Sequence, residues 1–172
     1  FDTMALFLAE SYGNPSSAHS PGREARKAVE IARERVSSLL GADPSEIVFT
    51  SCGTESDNLA IRGTLATRPE MKHIVTTRVE HEAVRNLCRN LENGGFRVTW
   101  LDVDESGSID LDLLRRSFAK DTAVVSIMLA NNETGVLFPV REIAEIVKEH
   151  SGALFHVDAV NAAGKVPIDL EE

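Results

Sequence analysis

Apolar residues along this chain follow two spacings that alternate from one end to the other. Between Pro21 and Gly41 they recur every three or four positions, which predicts a long amphipathic helix that ends at the glycine. Short runs rich in β-branched and apolar residues instead predict buried strands. These runs cover residues 47–50, 73–77, 96–103, 123–130 and 153–157.

Helical spacing also fills the segments between the predicted strands. Helices are expected near residues 2–10, 54–61, 84–91, 111–118 and 139–152. Strands that alternate with helices predict an α/β fold with a mostly parallel sheet and helices on both of its faces. The run at 123–130 supports this prediction, because a strand covered on both faces has few polar positions.

Composition is that of an ordinary globular protein and excludes two kinds of partner. Of the 172 residues, 42% are hydrophobic and 26% are charged, and the net charge is −9. An acidic chain without a basic run is not expected to bind nucleic acid or an anionic membrane surface. No stretch has the length of a membrane span and no signal peptide is visible, so we expect a cytoplasmic protein. Cys52 and Cys88 form neither a disulfide framework nor a metal-ligand cluster.

Polar residues collect directly after the predicted strands. Gly53 and Thr54 open a helix, whose free N–H groups and positive dipole end suit an anion. His81, Asn132 and Asp158 each follow a later strand. Because ligands of parallel sheets bind beyond the carboxyl ends of the strands, we expect these residues to share one site.

Each of these residues also has a structural explanation that the sequence leaves open. Thr54 fits an ordinary helix cap, His81 a solvated position early in its helix, and Asn132 its own turn. Asp158 stands in an apolar setting, where an unpaired carboxylate is costly and needs a partner. Together they suit a ligand with an anionic end, a flat ring and a protonatable ring nitrogen, and pyridoxal phosphate (PLP) has these features.

Five ordered motifs resemble the cysteine desulfurases of the iron–sulfur-assembly and nitrogen-fixation type. They read GNPSSAHSPG, EIVFTSCGTESDNLAIRG, TTRVEHEAV, LANNETGV and ALFHVDAVNAAGKVPIDL. The resemblance covers essentially the whole chain and implies the large domain of the fold type I, aspartate-aminotransferase-like PLP enzymes. Residues 1–20 would then form an N-terminal segment with an active-site loop, and residues 21–172 part of the PLP-binding large domain. Because the chain starts at Phe1 and stops without an obvious finish, we expect a piece of a longer protein.

The resemblance also implies a role for individual residues. Thr54, with its backbone and Gly53, matches the phosphate contact of the family. His81 matches the imidazole stacked on the cofactor ring and is the catalytic candidate of this chain. Asn132 matches the amide near the phenolic oxygen of the cofactor, and Asp158 matches the partner of the pyridine nitrogen.

Two further positions are weaker matches to the family. Asn14 lies in the loop that the family places near the substrate mouth. Asn161 stands where the family usually has glutamine, and its side chain is one methylene shorter. Its contact to the phenolic oxygen of the cofactor is therefore an open question.

The family also has catalytic groups that this chain lacks. Its Schiff-base lysine lies in a Ser-x-His-Lys segment soon after the point where this chain stops, and its persulfide-forming cysteine and substrate-binding arginine lie further on. None of the five lysines has a matching context: Lys27, Lys72, Lys120, Lys148 and Lys165. Lys165 is expected at the surface and Cys88 in the core. Cys52 is expected to have a lowered pKa beside the helix start, but it does not match the sulfur-carrying position.

The resemblance implies a PLP-dependent enzyme that converts L-cysteine to L-alanine and passes sulfur, as a persulfide, to an acceptor or iron–sulfur scaffold protein. It further implies a homodimer, and we expect this chain alone to be inactive. Two alternatives stay open, a lyase acting on selenocysteine or cysteine sulfinate and a short non-catalytic paralogue that dimerises with a desulfurase. A dinucleotide-binding domain is disfavoured, because no Gly-x-Gly-x-x-Gly follows the first strand.

Overall fold

The computed structural model describes residues 1–150 and 152–170, which form six α-helices and four β-strands. The helices are α1 (Asp2–Ala9), α2 (Ser20–Leu40), α3 (Gly53–Thr67), α4 (Glu82–Asn93), α5 (Leu111–Ser117) and α6 (Val140–His150). The strands are β1 (His73–Thr77), β2 (Arg97–Leu101), β3 (Thr122–Ser126) and β4 (Leu154–His156). The chain divides into two compact units, one of Phe1–Phe49 with the chain from Pro167 and one of Thr50–Val166.

Helix α2 confirms the helix predicted between Pro21 and Gly41. His19 precedes the helix, and its Nδ1 accepts a hydrogen bond from the backbone N–H of Gly22 at 3.2 Å. Gly41 closes the helix in the left-handed conformation, with a φ of 66°. This backbone conformation is disfavoured for residues with a Cβ atom, which explains why the helix ends at a glycine.

The strand predicted at 47–50 is wrong. Ile47 has extended backbone angles, but residues 47–50 pair with no strand in the described part of the chain. Val48 is 67% exposed and Phe49 is 48% exposed, so the segment is not buried. Its β-branched and aromatic residues give it strand propensity, but propensity does not supply a backbone partner, and a strand forms only beside one.

The four strands form one sheet in the order β2-β1-β3-β4, and all three neighbouring pairs are parallel. This confirms the predicted α/β fold. Strands β2, β3 and β4 are shorter than the predicted runs. Beyond β3, two backbone hydrogen bonds continue the pairing with β4 and the segment after it. The Ile127 N–H donates to the carbonyl of His156, and the Leu129 N–H donates to that of Asp158.

Helices cover both faces of the sheet, as predicted. On one face, Ile74 and Val124 pack with side chains of α3 and α4 in one hydrophobic cluster. On the other face, Val75 and Val125 pack with side chains of α5 and α6 in a second cluster. Strands β1 and β3 are buried along their whole length, which is expected of central strands in a parallel sheet.

The order of the strands predicts where a ligand would bind. From β1 the chain crosses to β2 on one side, and it then returns to place β3 and β4 on the other side. In open α/β sheets, the crevice beyond the carboxyl ends of strands at such a reversal is the usual ligand site. No helix in the described ranges combines the length and apolar character that a membrane crossing requires.

Candidate active site

A cavity of about 290 Å³ lies beyond the carboxyl ends of β1, β3 and β4 and beside the start of α3. This volume is at the lower end of the range for small-molecule pockets. The cavity brings together the predicted residues of this unit: Gly53, Thr54, His81, Asn132, Asp158 and Asn161. Four residues that the sequence analysis did not select also line it: Asp57, Met128, Ala130 and Val160.

The start of α3 provides the anion-binding end of the cavity. Cys52 precedes the helix, so the strong oxygen acceptor of a Ser, Thr, Asp or Asn cap is missing there. Gly53 and Thr54 line the cavity at the positive end of the helix dipole, where backbone N–H groups lack partners within the helix. A Cβ atom on Gly53 would lie 2.8 Å from Cγ2 of Val160, so a larger residue at this position would displace the Val160 side chain at the cavity wall.

His81 is held at the start of α4 by its own side chain. Its Nδ1 accepts a hydrogen bond from the backbone N–H of Ala83 at 3.2 Å, which caps the helix. Because Nδ1 is the acceptor, the ring proton of the neutral imidazole is on Nε2. The sequence left two interpretations open for His81, a solvated residue or a site residue, and the structure places this exposed ring at the wall of the cavity.

Asn131 and Asn132 have different tasks, although they are neighbours in the turn after β3. Asn131 is buried, and its Oδ1 accepts hydrogen bonds from the N–H groups of Glu133 and Thr134 at 3.0 and 2.9 Å. Its Nδ2 donates to the carbonyl of Val79 at 3.0 Å. Asn131 therefore organises the turn, which leaves the exposed amide of Asn132 to face the cavity.

Asp158 supplies a buried carboxylate at the opposite part of the cavity wall. It is 8% exposed, and its Oδ1 accepts the backbone N–H of Val160 at 2.9 Å. The bond from the Leu129 N–H to the Asp158 carbonyl, also 2.9 Å, fixes the backbone at this point. A carboxylate in this position is suited to bind a protonated ligand nitrogen, because such a charge-assisted hydrogen bond is strong.

Asp57 is a second buried acid at the cavity, and it has a histidine partner. Its Oδ1 lies 3.4 Å from Nε2 of His156, whose Nδ1 lies 2.9 Å from the hydroxyl of Ser126. This chain of contacts joins α3 to β4 and β3. A buried acid one helical turn after Thr54 is the signal that could have selected Asp57, because both residues lie on the same face of α3.

Asn161 lines the cavity, but its side-chain amide already makes hydrogen bonds to other groups of the protein. Its Nδ2 donates to the carbonyl of Asn131 at 3.2 Å, and its Oδ1 accepts a hydrogen bond from Nζ of Lys165 at 2.7 Å. Lys165 itself is exposed, as predicted. Asn14 belongs to the other unit, where its Oδ1 accepts the N–H of Ser16 at 2.9 Å, and its predicted place near a substrate mouth stays a prediction.

The two cysteines have opposite environments. Hydrogen bonds from the Glu55 N–H and from Ser51 lower the pKa of Cys52, as predicted for a thiol at a helix start. Burial raises the pKa of Cys88 to about 12, which agrees with its predicted place in the core. Within the described ranges, no group of three or more His, Cys, Asp or Glu side chains could hold a metal ion.

Comparisons with known proteins identify the family. The sequence profile of the class V aminotransferases matches residues 1–172. The chain belongs to this family. A cysteine desulfurase of Nostoc sp. is 57% identical to this class V chain over 170 residues, which are 99% of the chain and 42% of the relative.

Solved structures support the same assignment. A NifS-like protein superposes on this class V chain with a TM-score of 0.96 at 44% identity, over 99% of the chain and 48% of that protein. A structure described as SspA in complex with cysteine gives a TM-score of 0.94 at 38% identity, over 99% of the chain and 49% of that protein. The fold is therefore that of the NifS-like fold type I enzymes, and the chain spans less than half the length of these relatives.

Proposed function

We propose that this chain forms the PLP-binding part of a cysteine desulfurase. The observation that carries the proposal is a cavity that collects a helix start, an imidazole, an amide and a carboxylate from α3 and the ends of three parallel strands. The strong similarity to proteins named cysteine desulfurase supports the choice among PLP enzymes.

The chemistry of the donor set fits PLP. The start of α3 at Gly53 and Thr54 suits the phosphate, and the Asp158 carboxylate suits the pyridine nitrogen in its protonated form. The Asn132 amide suits the phenolic oxygen. Apolar side chains and the His81 ring suit the two faces of a flat ring, since Val160 and Ala130 also line the cavity.

When bound, PLP supplies an electron sink for bonds at the α-carbon of an amino acid. The residues of this chain would orient the cofactor ring and set the charge on its nitrogen. Asp158 would keep the ring nitrogen protonated, because a nearby carboxylate favours the cationic form. The Nε2–H of His81 is available to donate a hydrogen bond toward the cavity, since Nδ1 accepts the Ala83 N–H that caps α4.

We infer that the complete protein acts on L-cysteine. A thiolate of the enzyme attacks the sulfur of cysteine, the carbon–sulfur bond breaks, and the carbon takes a proton to give L-alanine while the sulfur stays on the enzyme as a persulfide. A lysine that binds PLP and the attacking cysteine would lie outside these 172 residues. A homodimer, a protein that accepts the sulfur for iron–sulfur or other sulfur-compound biosynthesis, and a cytoplasmic location complete the proposal.

The direct test compares this chain with the full-length protein that contains it. Alanine formation from L-cysteine is measured with added PLP, alongside selenocysteine and cysteine sulfinate as competing substrates. We expect alanine and persulfide from L-cysteine with the full-length protein and none with the chain alone. Preference for selenocysteine or cysteine sulfinate would reject the substrate assignment, and absence of PLP binding by the full-length protein would reject the cofactor assignment.

Asn131 and Asn132 offer a matched pair of variants for the same protein. We expect Asn132→Ala to weaken PLP binding by about tenfold through loss of one hydrogen bond, without loss of stability. We expect Asn131→Ala to lower stability, because it removes the hydrogen bonds that hold the turn. PLP titration and urea unfolding of both variants measure this, and equal behaviour of the two would contradict the assigned roles.

A further inference from the structure

Glu80 is a buried acid directly before His81, and the sequence analysis assigned it no role. It is 2% exposed. Its Oε1 accepts a hydrogen bond from the Thr77 hydroxyl at 2.7 Å and another from the Met128 N–H at 3.1 Å. One carboxyl oxygen thus joins the last residue of β1 to the chain that continues from β3, and both His81 and Met128 line the cavity.

The second oxygen of Glu80 favours an uncharged group. Oε2 is buried and has no hydrogen-bond partner among the described residues. An ionised carboxylate would leave charge on this oxygen without a donor, whereas a protonated oxygen leaves an O–H without an acceptor, which costs less than a buried charge. Burial, opposed in part by the bonds from Thr77 and Met128, raises the pKa of Glu80 to about 8.

The groups around Glu80 favour the same state. Asp158 after β4 and Asp57 on α3 both raise its pKa, because a third negative charge beside them is unfavourable. Cys88 on α4 also faces it and is neutral, with a raised pKa. Of the nearby cations, Arg78 pairs with Asp102 at 3.0 Å and Arg85 pairs with Glu82, although Nε of Arg85 is buried without a hydrogen-bond partner among the described residues. His156 lies against Asp57.

The loop between β1 and α4 has two attachments to the segment after β3. One is the bond from Asn131 Nδ2 to the Val79 carbonyl, which does not change with pH. The other is Glu80, which does: ionisation would strengthen the bonds to Oε1 but place a buried charge on Oε2 without a donor, and that cost favours opening of the loop to water. Resting on the proposed function, we propose that Glu80 is a positioning residue that, as a neutral carboxylic acid, holds the His81 loop against the Met128 strand end so that the cavity keeps the shape that binds PLP.

The test uses the full-length protein with Glu80→Gln, Glu80→Ala and, as a matched control, Glu105→Gln. Glutamine keeps an acceptor oxygen for Thr77 and Met128 but cannot ionise. Glu105 is an exposed acid between β2 and α5, outside the cavity lining, and it pairs with none of the charged groups around Glu80. PLP affinity is measured by absorbance titration from pH 6 to pH 9.5, and the protonated carboxyl is followed by its infrared carbonyl stretch in Glu80→Gln difference spectra.

We expect wild type and Glu105→Gln to lose PLP affinity above pH 8 by about tenfold per pH unit, as one required proton is lost. Glu80→Gln should bind PLP within about threefold of wild type at pH 7 and lack that alkaline loss, whereas Glu80→Ala should bind about tenfold more weakly at every pH. If Glu80→Ala does not fold, the comparison of wild type with Glu80→Gln decides alone.

Two results would overturn the inference. One is an alkaline loss of affinity in Glu80→Gln equal to that of wild type. The other is the absence at pH 7 of an infrared band from a protonated carboxyl that Glu80→Gln removes. Because the infrared measurement needs no cofactor, it distinguishes a failure of this inference from a failure of the proposed function.

Discussion

Polar side chains lie near both ends of strand β1. Those at the amino end are hydrogen-bonded to one another, whereas those at the carboxyl end line a cavity. At the amino end, His73 is 1% exposed, and its two ring nitrogens lie 2.8 and 2.9 Å from the hydroxyls of Thr122 and Thr99. At the carboxyl end, Glu80 keeps one oxygen without a partner among the described residues, and Asn132 and Asp158 face a cavity.

This difference separates a structural polar network from a ligand site. Buried polar groups that satisfy one another stabilise the native packing, as His73 does. Burial lowers the pKa of His73, so its ring is held neutral in the core. Polar groups that converge on a cavity without full pairing retain hydrogen-bonding capacity for a ligand, and this is the arrangement at the carboxyl end.

The largest expected effect that tests this comparison is the pH dependence of stability caused by Glu80. A folded-state pKa of about 8, against 4.5 for the unfolded chain, means that the folded state holds the proton more tightly. The free energy of unfolding should therefore fall as pH rises from about 4.5 to about 8, by roughly 4 to 5 kcal/mol, and should not change further above that range. Urea unfolding of wild type and Glu80→Gln measures it, and parallel pH profiles would contradict it.

A smaller effect is expected when Asp158 is replaced by asparagine. The change removes a charge-assisted hydrogen bond to the ring nitrogen of PLP, worth about 1.5 to 3 kcal/mol, so affinity should fall by about tenfold to a hundredfold. The substituted asparagine side chain still has an oxygen for the Val160 N–H, so stability should change little. Unchanged PLP affinity, measured by absorbance titration of the full-length protein, would remove Asp158 from the site.

At the amino end, His73→Ala should produce the opposite result. It leaves the hydroxyls of Thr122 and Thr99 without their imidazole partner inside the sheet, which should cost about 1 to 3 kcal/mol of stability. PLP affinity should stay as in wild type, because His73 is at the other end of the strand. A loss of affinity without a loss of stability would show that the two ends do not have separate tasks.

Most of the sheet and the residues of the site were predictable from local patterns. Strand β1 was predicted with its observed bounds, because His73–Thr77 is a short β-branched run that follows Arg68 and Pro69. His81, Asn132 and Asp158 were selected because each follows a predicted strand, and parallel strands bring their carboxyl ends together. Gly53 and Thr54 were selected as a helix start that suits an anion, and the helix forms although the strand predicted before it does not.

The features that were missed depend on contacts between distant segments. The segment 47–50 has strand propensity but no partner strand within the described chain. The close approach of Gly53 to Val160 joins two residues more than one hundred positions apart in the sequence. In the sequence, Glu80 is one acid in a charged stretch, and nothing local predicts that it is buried. Its burial depends on contacts with a distant segment, such as the hydrogen bond from the Met128 N–H.

The smallest effect is expected at Cys52, which lies next to the cavity and directly before α3. Cys52→Ala should change PLP affinity by less than about twofold, since sulfur is a weak hydrogen-bond acceptor and its contact with the Glu55 N–H adds little to the helix start. Its thiol is exposed and its pKa is lowered, whereas Cys88 is buried with a pKa of about 12 and is about one part in ten thousand thiolate at pH 8. Iodoacetamide at pH 8 should therefore modify Cys52 in the folded protein and Cys88 only after unfolding, as read by peptide mass spectrometry. Equal labelling of both thiols in the folded protein would contradict the described difference in solvent exposure between Cys52, beside the cavity, and Cys88, in the core.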